Sequence, residues 1–433
     1  MLVLVLGEMM KHKVVIVGGG AGGLELATKL GRTLGKRKNA EITLVDANLT
    51  HIWKPLLHEV AAGSLDPSID ELNYFAQAKW NHFSFQYGRM VDLDRDQKTI
   101  TFKSSNSEVR EIQYDTLVMA VGSQCNDFGT LGVQEFCHFL DSRAQAEKLH
   151  KLLLSRYMRA HATDKSTPLR ISIVGAGATG VELCAELQHA IRIIEGYGVR
   201  HASPSTLKIT LVEAGPRVLP VLNQDVSETV HSGLTDLGID VRVSTAVKEV
   251  TAEGVRLADS SIVSADMTIW AAGIKAPAFL KELAGLETNR INQLLVRRTL
   301  QTTLDESIFA IGDCASCPIS DEGGGFVPPR AQAAHQQAEM LSRSLSRLIA
   351  GGSPLKFNYE DRGTLVSMAS FNAVGTLTGL LGYKKVTEGL VARTLYMSLY
   401  RLHQASLYGA PRMLLKAFAE WLQRKTRPRL KLH

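Results

Sequence analysis

Six glycines at matched spacing are the residues of this chain best placed to do chemistry. Gly18, Gly20 and Gly23 lie in KVVIVGGGAGGLELATKL (13–30), and Gly175, Gly177 and Gly180 in RISIVGAGATGVELCAEL (170–187). Each set follows a β-branched apolar run and opens a helix-like pattern. In that setting the first glycine permits a tight turn and the second lets backbone N–H groups approach a pyrophosphate. The third lets helix and strand pack closely. The helix N-terminus offers N–H groups and positive potential to the phosphates. An acid ends the next strand both times, Asp46 in ITLVD and Glu213 in ITLVE, where a carboxylate accepts bonds from ribose hydroxyls. The chemistry is the binding of two dinucleotides, and two such sites in one chain imply electrons passed between two cofactors. Glu213 favours NADH over NADPH because a carboxylate repels a 2′-phosphate; Arg217 stands close behind and argues the other way. Spacing alone leaves open which site takes which cofactor.

The elements that must position these groups also recur. Val14–Val17 is fit for a buried parallel strand, Gly18–Gly23 for the turn and Leu24–Leu34 for the helix. Thr116–Gly122 (TLVMAVG) is a return strand, matched by Thr268–Gly273 (TIWAAG) in the second copy, so Gly122 and Gly273 join the candidate residues. Between the first pair, 81–111 reads as an antiparallel meander. At 433 residues the chain exceeds one ordinary core, and 45% apolar with 21% charged residues is the composition of a globular protein. The repeat predicts an α/β chain with two doubly wound, Rossmann-like domains. The polar stretch 161–168, ending in proline, serves as linker. The expected division is 11–165 and 296–350 for one domain, 166–295 for the other and 351–433 for a C-terminal region.

Five scattered cysteines do not form a secreted framework and indicate a reducing compartment. Cys314 and Cys317 form a CxxC read as structural; zinc would need two more ligands and no second CxxC exists, so no metal is expected. No apolar run approaches the roughly 20 residues of a membrane span. The start MLVLVLGEMM lacks the features of a signal peptide, and Met9 or Met10 is a candidate start because the first strand follows at once. From Arg393 to His433 there are nine Lys/Arg and one acid, whereas residues 1–392 are slightly acidic. On a helix from Arg412, the residues Met413, Leu414, Ala417, Phe418, Trp421 and Leu422 form one stripe. Arg412, Lys416, Glu420, Gln423 and Arg424 lie opposite, with Lys425, Arg427, Arg429 and Lys431 beyond. That pattern describes an amphipathic helix lying in the plane of an anionic bilayer surface; no recognition module for nucleic acid is present.

TLDESIFAIGD (303–313) resembles the motif of two-dinucleotide flavoproteins whose last acid, here Asp313, binds the ribityl chain of FAD. In that fold the motif closes the first domain, so the resemblance gives FAD to the first glycine set and the nicotinamide cofactor to the second. From about Lys13 to the C-terminus the chain resembles bacterial type II NADH dehydrogenases, the single-subunit NADH:quinone oxidoreductases. The likeness rests on VGGGAGGLELAT, HIWKPLLHEVAAGSLD, GAGATGVELCAEL, WAAGIKAP, ETNRINQLLV, AIGDCASCP, GFVPPRAQAAHQQA and RPRLKLH.

The resemblance implies FAD held by Gly18, Gly20, Gly23, Asp46, Lys54, Pro55, Gly122, Asp313 and Ala331. It implies NADH as substrate, held by Gly175, Gly177, Gly180, Glu182, Glu213 and Gly273. Glu182 matches an acid near nicotinamide and flavin. Gln332 and Gln336, four apart on one helical face, match the quinone side of the flavin, and His335 is carried as a proton relay with Glu182. The N-terminus of the helix 330–349, with Pro329 near its first turn, would stabilise negative charge on reduced flavin. The implied partners are a membrane quinone, an anionic lipid surface met by the C-terminal helix, and a second copy of the chain as a homodimer. The implied place is the cytoplasmic side of the inner membrane, peripherally bound and without proton pumping. A disulfide reductase would need a cysteine pair in 47–63, which has none, and a sulfide:quinone reductase would have to use Cys314 and Cys317. A ferredoxin-type reductase would not need the amphipathic tail, and a slow redox sensor would be separated by assay.

Overall fold

A computed structural model describes residues 11–104, 106–163, 168–199, 202–369, 372–378, 384–423 and 430–431. The candidate start at Met9 or Met10, residues 164–167 of the linker and the basic run 424–429 lie outside these residues. The chain divides into two compact units. One comprises residues 1–51, 72–123 and 275–360, the other 52–71, 124–274 and 361–433.

The first unit is built on a five-stranded parallel sheet. Its order is Ile308–Ala310, Thr116–Met119, His12–Val17, Ala40–Asp46, Ser84–Tyr87. Val14 to Val17 are almost wholly buried, as expected where helices cover both faces of a parallel sheet. The register sets Val14 beside Ile42 and Val17 beside Val45, which brings the ends of both strands to the same edge. Helix Ala21–Leu30 follows the turn and packs on the sheet through Leu24, Leu26 and Leu30. It begins three residues before the expected Leu24, so Gly22 and Gly23 lie inside its first turn. Gly22 is there for close approach: a Cβ would lie 3.2 Å from the Ile311 side chain and 3.3 Å from the Ala334 carbonyl. Beyond Leu30 the helix widens into a π-helical turn, Gly31–Gly35, where Gly31 lies close against the Asn81 carbonyl.

The expected meander is shorter than 81–111. Arg89–Asp94, Thr99–Lys103 and Val109–Gln113 form it, while Ser84–Tyr87 joins the parallel sheet. Four alternating residues fit either partner, and only the open edge at Ala40–Asp46 decides.

The second unit repeats the plan. Its parallel sheet runs Cys137–Phe139, Met267–Trp270, Leu169–Val174, Leu207–Val212, Asp240–Arg242. Its own antiparallel meander is Val247–Thr251, Gly254–Leu257 and Ile262–Ser264. Helix Ala178–Gly196 follows the turn with Val181, Leu183, Cys184 and Leu187 buried. Helix Arg143–Thr163 occupies the first residues of the expected linker. Strand Gly363–Met368 and its two antiparallel neighbours lead into helices Gly389–Tyr408 and Ala410–Gln423, which break at Gly409 (φ +82°).

The third glycine of each turn tests this packing. A Cβ on Gly23 would lie 1.9 Å from the Gly18 carbonyl oxygen, and one on Gly180 would lie 2.0 Å from that of Gly175. Both obstacles are backbone and cannot swing aside. Gly23→Ala is expected to destabilise the chain by about 2–4 kcal/mol, measured by urea unfolding. Gly20→Ala, whose Cβ would meet no atom within 4 Å, should stay within roughly 1 kcal/mol of the parent.

Candidate active site

Each parallel sheet ends in a turn of the same construction. In the first unit Gly18 adopts φ +102°, and only glycine fits there, since any Cβ would strike the Ala120 carbonyl at 2.3 Å. The Gly18 N–H bonds to the Val45 carbonyl at 2.8 Å, and the Gly19 N–H bonds to Asp46 Oδ2 at 2.6 Å. Gly20 starts the helix with no side-chain cap and open space beside it. Asp46 Oδ1 also accepts the Asn48 backbone and side-chain N–H groups at 2.7 and 3.0 Å. Burial pushes its carboxyl up, opposed by these bonds from Gly19 and Asn48. A carboxylate has about four acceptor positions, so one remains for a ribose hydroxyl.

The second turn reproduces these contacts. Gly175 has φ +104° and donates to the Val212 carbonyl at 2.8 Å. The Ala176 N–H bonds to Glu213 Oε2 at 2.7 Å and Gly215 N–H to Oε1 at 2.7 Å. Gly177 is uncapped and open. Arg217 bonds the carbonyls of Pro220 and Leu222 at 3.0 Å each, so its guanidinium is engaged by its own loop. That leaves Glu213 as the carboxylate beside this seat and favours a ribose without a 2′-phosphate. Gly273 (φ +60°) ends the return strand under the exposed ring of Phe128.

Each unit carries a further carboxylate after its outer strand: in the second, Asp141 follows Cys137–Phe139 and accepts the Cys125 N–H at 2.8 Å. Asp313 follows strand Ile308–Ala310, and its Oδ2 accepts the Ser123 hydroxyl at 2.7 Å. Its backbone carbonyl accepts the Gln293 amide at 2.9 Å. Gly312 N–H bonds to Gln337 Oε1 at 2.7 Å, which ties helix Ala331–Ile349 to this corner. Gly122 (φ +70°) is open on its Cβ side. An uncapped helix start, an open glycine, a spare ribose acceptor and the acid Asp313 fit FAD; the second turn, with its uncapped start and open Gly177, fits NADH.

The other expected residues take more varied places. Glu182 is buried in helix Ala178–Gly196; its Oε1 accepts the Ser367 N–H at 3.0 Å, and His58 Nδ1 lies 3.6 Å from Oε2. Burial lowers His58 to about 4, against a bond to the Pro55 backbone, so the ring is neutral. The histidine of this unit beside Glu182 is thus His58. His335, expected to relay with Glu182, instead pairs through Nδ1 with the fully buried Glu25 at 2.6 Å. The Lys29 ammonium stands 3.4 Å from Glu25 Oε1. Gln336 donates to the Glu360 carbonyl at 2.8 Å and accepts its N–H at 3.0 Å. Both ends of its amide are used to hold backbone. Gln332 is half-buried one turn earlier, and Ala331 opens the helix behind an uncapped Arg330. Pro329 therefore precedes the helix instead of entering its first turn. Lys54 and Pro55 form a 3-10 turn in the second unit, where Lys54 faces Asp141 at 3.6 Å.

Cys314 and Cys317 are buried free thiols that burial pushes up to about 11 and about 12. A neutral buried thiol is a poor nucleophile. Among the described residues no group of three or more His, Cys, Asp and Glu is placed to hold a metal ion. No described helix is long and apolar enough to cross a membrane.

Helix Ala410–Gln423 turns its apolar side outward. Leu415, Phe418 and Trp421 are 69%, 58% and 55% exposed, with Leu414 and Leu422 beside them. Two of its polar residues, Lys416 and Glu420, are half-buried: Glu420 pairs with Arg401 of the preceding helix and with Lys416. Beyond it, Leu430 is buried among Ala62, Leu153, Tyr157 and Leu187. Lys431, expected among the lipid-facing cations, bonds the Gly63 carbonyl at 2.8 Å and Asp66 at 2.9 Å. It fastens the chain end to its own unit.

Residues 12–338 match the family described as pyridine nucleotide-disulphide oxidoreductase. The chain is 45% identical over 444 positions to a type II NADH:quinone oxidoreductase of Haemophilus influenzae, covering 97% of this chain and 99% of that one. It is 29% identical to a type II NADH:quinone oxidoreductase of Staphylococcus aureus, covering 85% and 90%. In fold it is similar to NDH2 of Plasmodium falciparum in complex with NADH (TM-score 0.83, 20% identity, 97% and 100% covered). It is also similar to the sulfide:quinone oxidoreductase of Aquifex aeolicus (TM-score 0.73, 18% identity, 92% of each chain).

Two buried neutral histidines set a pH dependence. Burial holds His51 and His58 at about 4 in the folded chain, against 6.5 when exposed. Between those values the unfolded chain binds more protons, so stability rises with pH and is lost as pH falls from 6.5 towards 4. Urea midpoints measured from pH 7.5 to 4.5 should fall, and His51→Asn with His58→Asn should flatten that slope.

Proposed function

The chain belongs to the pyridine nucleotide-disulphide oxidoreductase family and, within it, to the type II NADH:quinone oxidoreductases, and from that premise we propose which residues carry the activity. The protein is an FAD-dependent enzyme that oxidises NADH and reduces a quinone without pumping protons. Bound FAD supplies the two-electron relay, taking hydride from NADH and passing electrons to quinone. The observation that carries the two seats is the doubled turn, open at Gly20 and at Gly177; FAD is given to the first by the likeness of 303–313, ending in Asp313, to the flavoprotein motif, with Asp313 at that sheet edge bonded to Ser123. The first unit then holds FAD through Gly18, Gly20, Gly23, Asp46, Gly122, Asp313 and Ala331. The second holds NADH through Gly175, Gly177, Gly180, Glu213 and Gly273. Lys54 and Pro55 serve as flavin neighbours, and Gln332 faces the quinone side. Gln336 is a positioning residue that fixes the backbone at Glu360.

Hydride transfer needs alignment more than acid–base help, but quinone reduction takes up two protons. Glu182 is the proton-handling group in this reading, oriented by the Ser367 N–H and by neutral His58. The pair of His335 with buried Glu25 offers a second place where a proton is held in the first unit. The outward apolar side of helix Ala410–Gln423 lies on an anionic bilayer surface at the cytoplasmic face of the inner membrane, where quinone is met. A homodimer through the same side is the alternative occupant.

Steady-state assay with NADH and a soluble quinone should show rapid oxidation, with none supported by sulfide or by a disulfide. Cys314 and Cys317, buried and neutral, cannot serve those rival reactions, and quinone inactivity with disulfide activity would overturn the assignment. Glu182→Gln should slow flavin reoxidation by quinone in stopped flow and flatten its pH profile; unchanged half-reactions and profiles would contradict the role. Leu415→Glu, Phe418→Glu and Trp421→Glu combined should weaken binding to anionic vesicles at least tenfold, since each exposed side chain contributes about 1.5–3 kcal/mol on burial. Ferricyanide reduction by NADH should persist in that variant. Loss of self-association with vesicle binding intact would favour the dimer.

A further inference from the structure

The carbonyl between the first two glycines is tied down in both units, by different means. In the second turn the Ala176 carbonyl accepts the Leu219 backbone N–H at 2.8 Å. In the first turn the Gly19 carbonyl accepts two side chains, the Tyr74 hydroxyl at 2.7 Å and His51 Nδ1–H at 3.0 Å. The N–H of the same residue is already bonded to Asp46 or Glu213. Both polar groups of residues 19 and 176 are therefore engaged.

The local fold brings the two side chains to one atom. Strands Thr50–His51 and Leu72–Asn73 pair antiparallel, with His51 opposite Leu72. Asn73 caps the next helix by accepting the Ala76 N–H at 3.0 Å, and Tyr74 is its first residue. The Tyr74 ring stacks on Phe85 with centroids 5.0 Å apart. His51 and Tyr74 are both buried. Burial holds His51 down at about 4 and Tyr74 well above 10, so hydroxyl and ring N–H remain donors at neutral pH.

This lock accounts for a difference between the copies. A Cβ at residue 19 would lie 2.4 Å from the Tyr74 hydroxyl oxygen, so GGGAGG carries glycine where GAGATG carries Ala176. It also sets a direction. In a planar trans peptide the N–H lies opposite the C=O. Holding the Gly19 carbonyl against Tyr74 and His51 aims the Gly20 N–H away from both, on the residue whose Cβ side is open.

We propose that His51 and Tyr74 are positioning residues for FAD, which hold the Gly19 carbonyl so that the Gly20 N–H is presented to the cofactor's pyrophosphate. The proposal rests on the reading that the first turn seats FAD. In the NADH seat the matching carbonyl, of Ala176, is held by the Leu219 backbone N–H and does not depend on these side chains.

The test uses holoenzyme diluted to nanomolar concentration, with FAD release followed as the rise of flavin fluorescence. NAD+ affinity and the melting temperature are measured on the same preparations. Tyr74→Phe keeps the ring, and His51→Leu removes the donor. Each should speed FAD release roughly five- to tenfold, the loss of about one hydrogen bond, with NAD+ affinity and melting temperature unchanged. His51→Asn, whose amide nitrogen stands where Nδ1 does, should restore release to within about twofold. Unchanged FAD release in both variants, faster release that merely follows the melting temperature, or no rescue by asparagine would overturn the proposal. Weaker NAD+ binding with unchanged FAD release would instead overturn the assignment of the two seats.

Discussion

In each unit a carboxylate at the end of the second strand accepts the N–H of the residue after the first glycine, Asp46 to Gly19 at 2.6 Å and Glu213 to Ala176 at 2.7 Å. The rest of the site depends on that bond. It draws the chain tightly over the sheet edge, which forces Gly18 and Gly175 to φ above +100°. The tight turn then sets the third glycine against the first carbonyl, so that the helix starts at once with its N–H groups uncovered. A longer side chain at any of these positions would open the turn and move the phosphate seat. The acid has two tasks, since its remaining acceptor capacity is what a ribose hydroxyl meets.

From this shared turn the units diverge through what is packed around it. The first is closed by Asp313 with Ser123 and by Gln337 on the Gly312 N–H. Gly22 admits helix Ala331–Ile349 against the helix that starts at Ala21. Those contacts make a seat with more fixed partners, suited to a cofactor that stays. The second carries Glu182 one turn into its helix, backed by Ser367 and His58. Arg217, spent on its own loop, leaves Glu213 as the carboxylate presented to the ribose.

Much of this plan was legible in the sequence, because turn chemistry and strand periodicity are local. The six glycines, the two acids, both return strands and the amphipathic helix at the C-terminus all stand where spacing placed them. What was not legible depends on partners far along the chain. His51 and Tyr74 meet at Gly19 only after a two-residue strand pair forms, and nothing in HIWKPLLHE marks His51 as different from His58. The one local trace was the extra glycine at 19. His335 was read as a proton relay, and its contact with Glu25, 310 residues away in sequence, had no local trace. Gln336 looked like a reactive amide and is held at both ends by Glu360. Lys431 read as one more cation of a basic tail, whereas it bonds Gly63 and Asp66 beside the buried Leu430. Ser84–Tyr87 has a strand's alternation, but its choice of sheet was decided by an unfilled edge.

The central claim is that two turns of one design have unlike occupants, one that stays and one that exchanges. Purified holoenzyme incubated with excess NAD+ and passed through a desalting column tests it directly, with flavin and nicotinamide then quantified in the protein fraction. About one FAD per chain and no retained nicotinamide are expected, since helix Ala331–Ile349 closes the first turn through Gln337 on the Gly312 N–H. Nicotinamide retained in proportion to the chain, or flavin lost while nicotinamide remains, would contradict it.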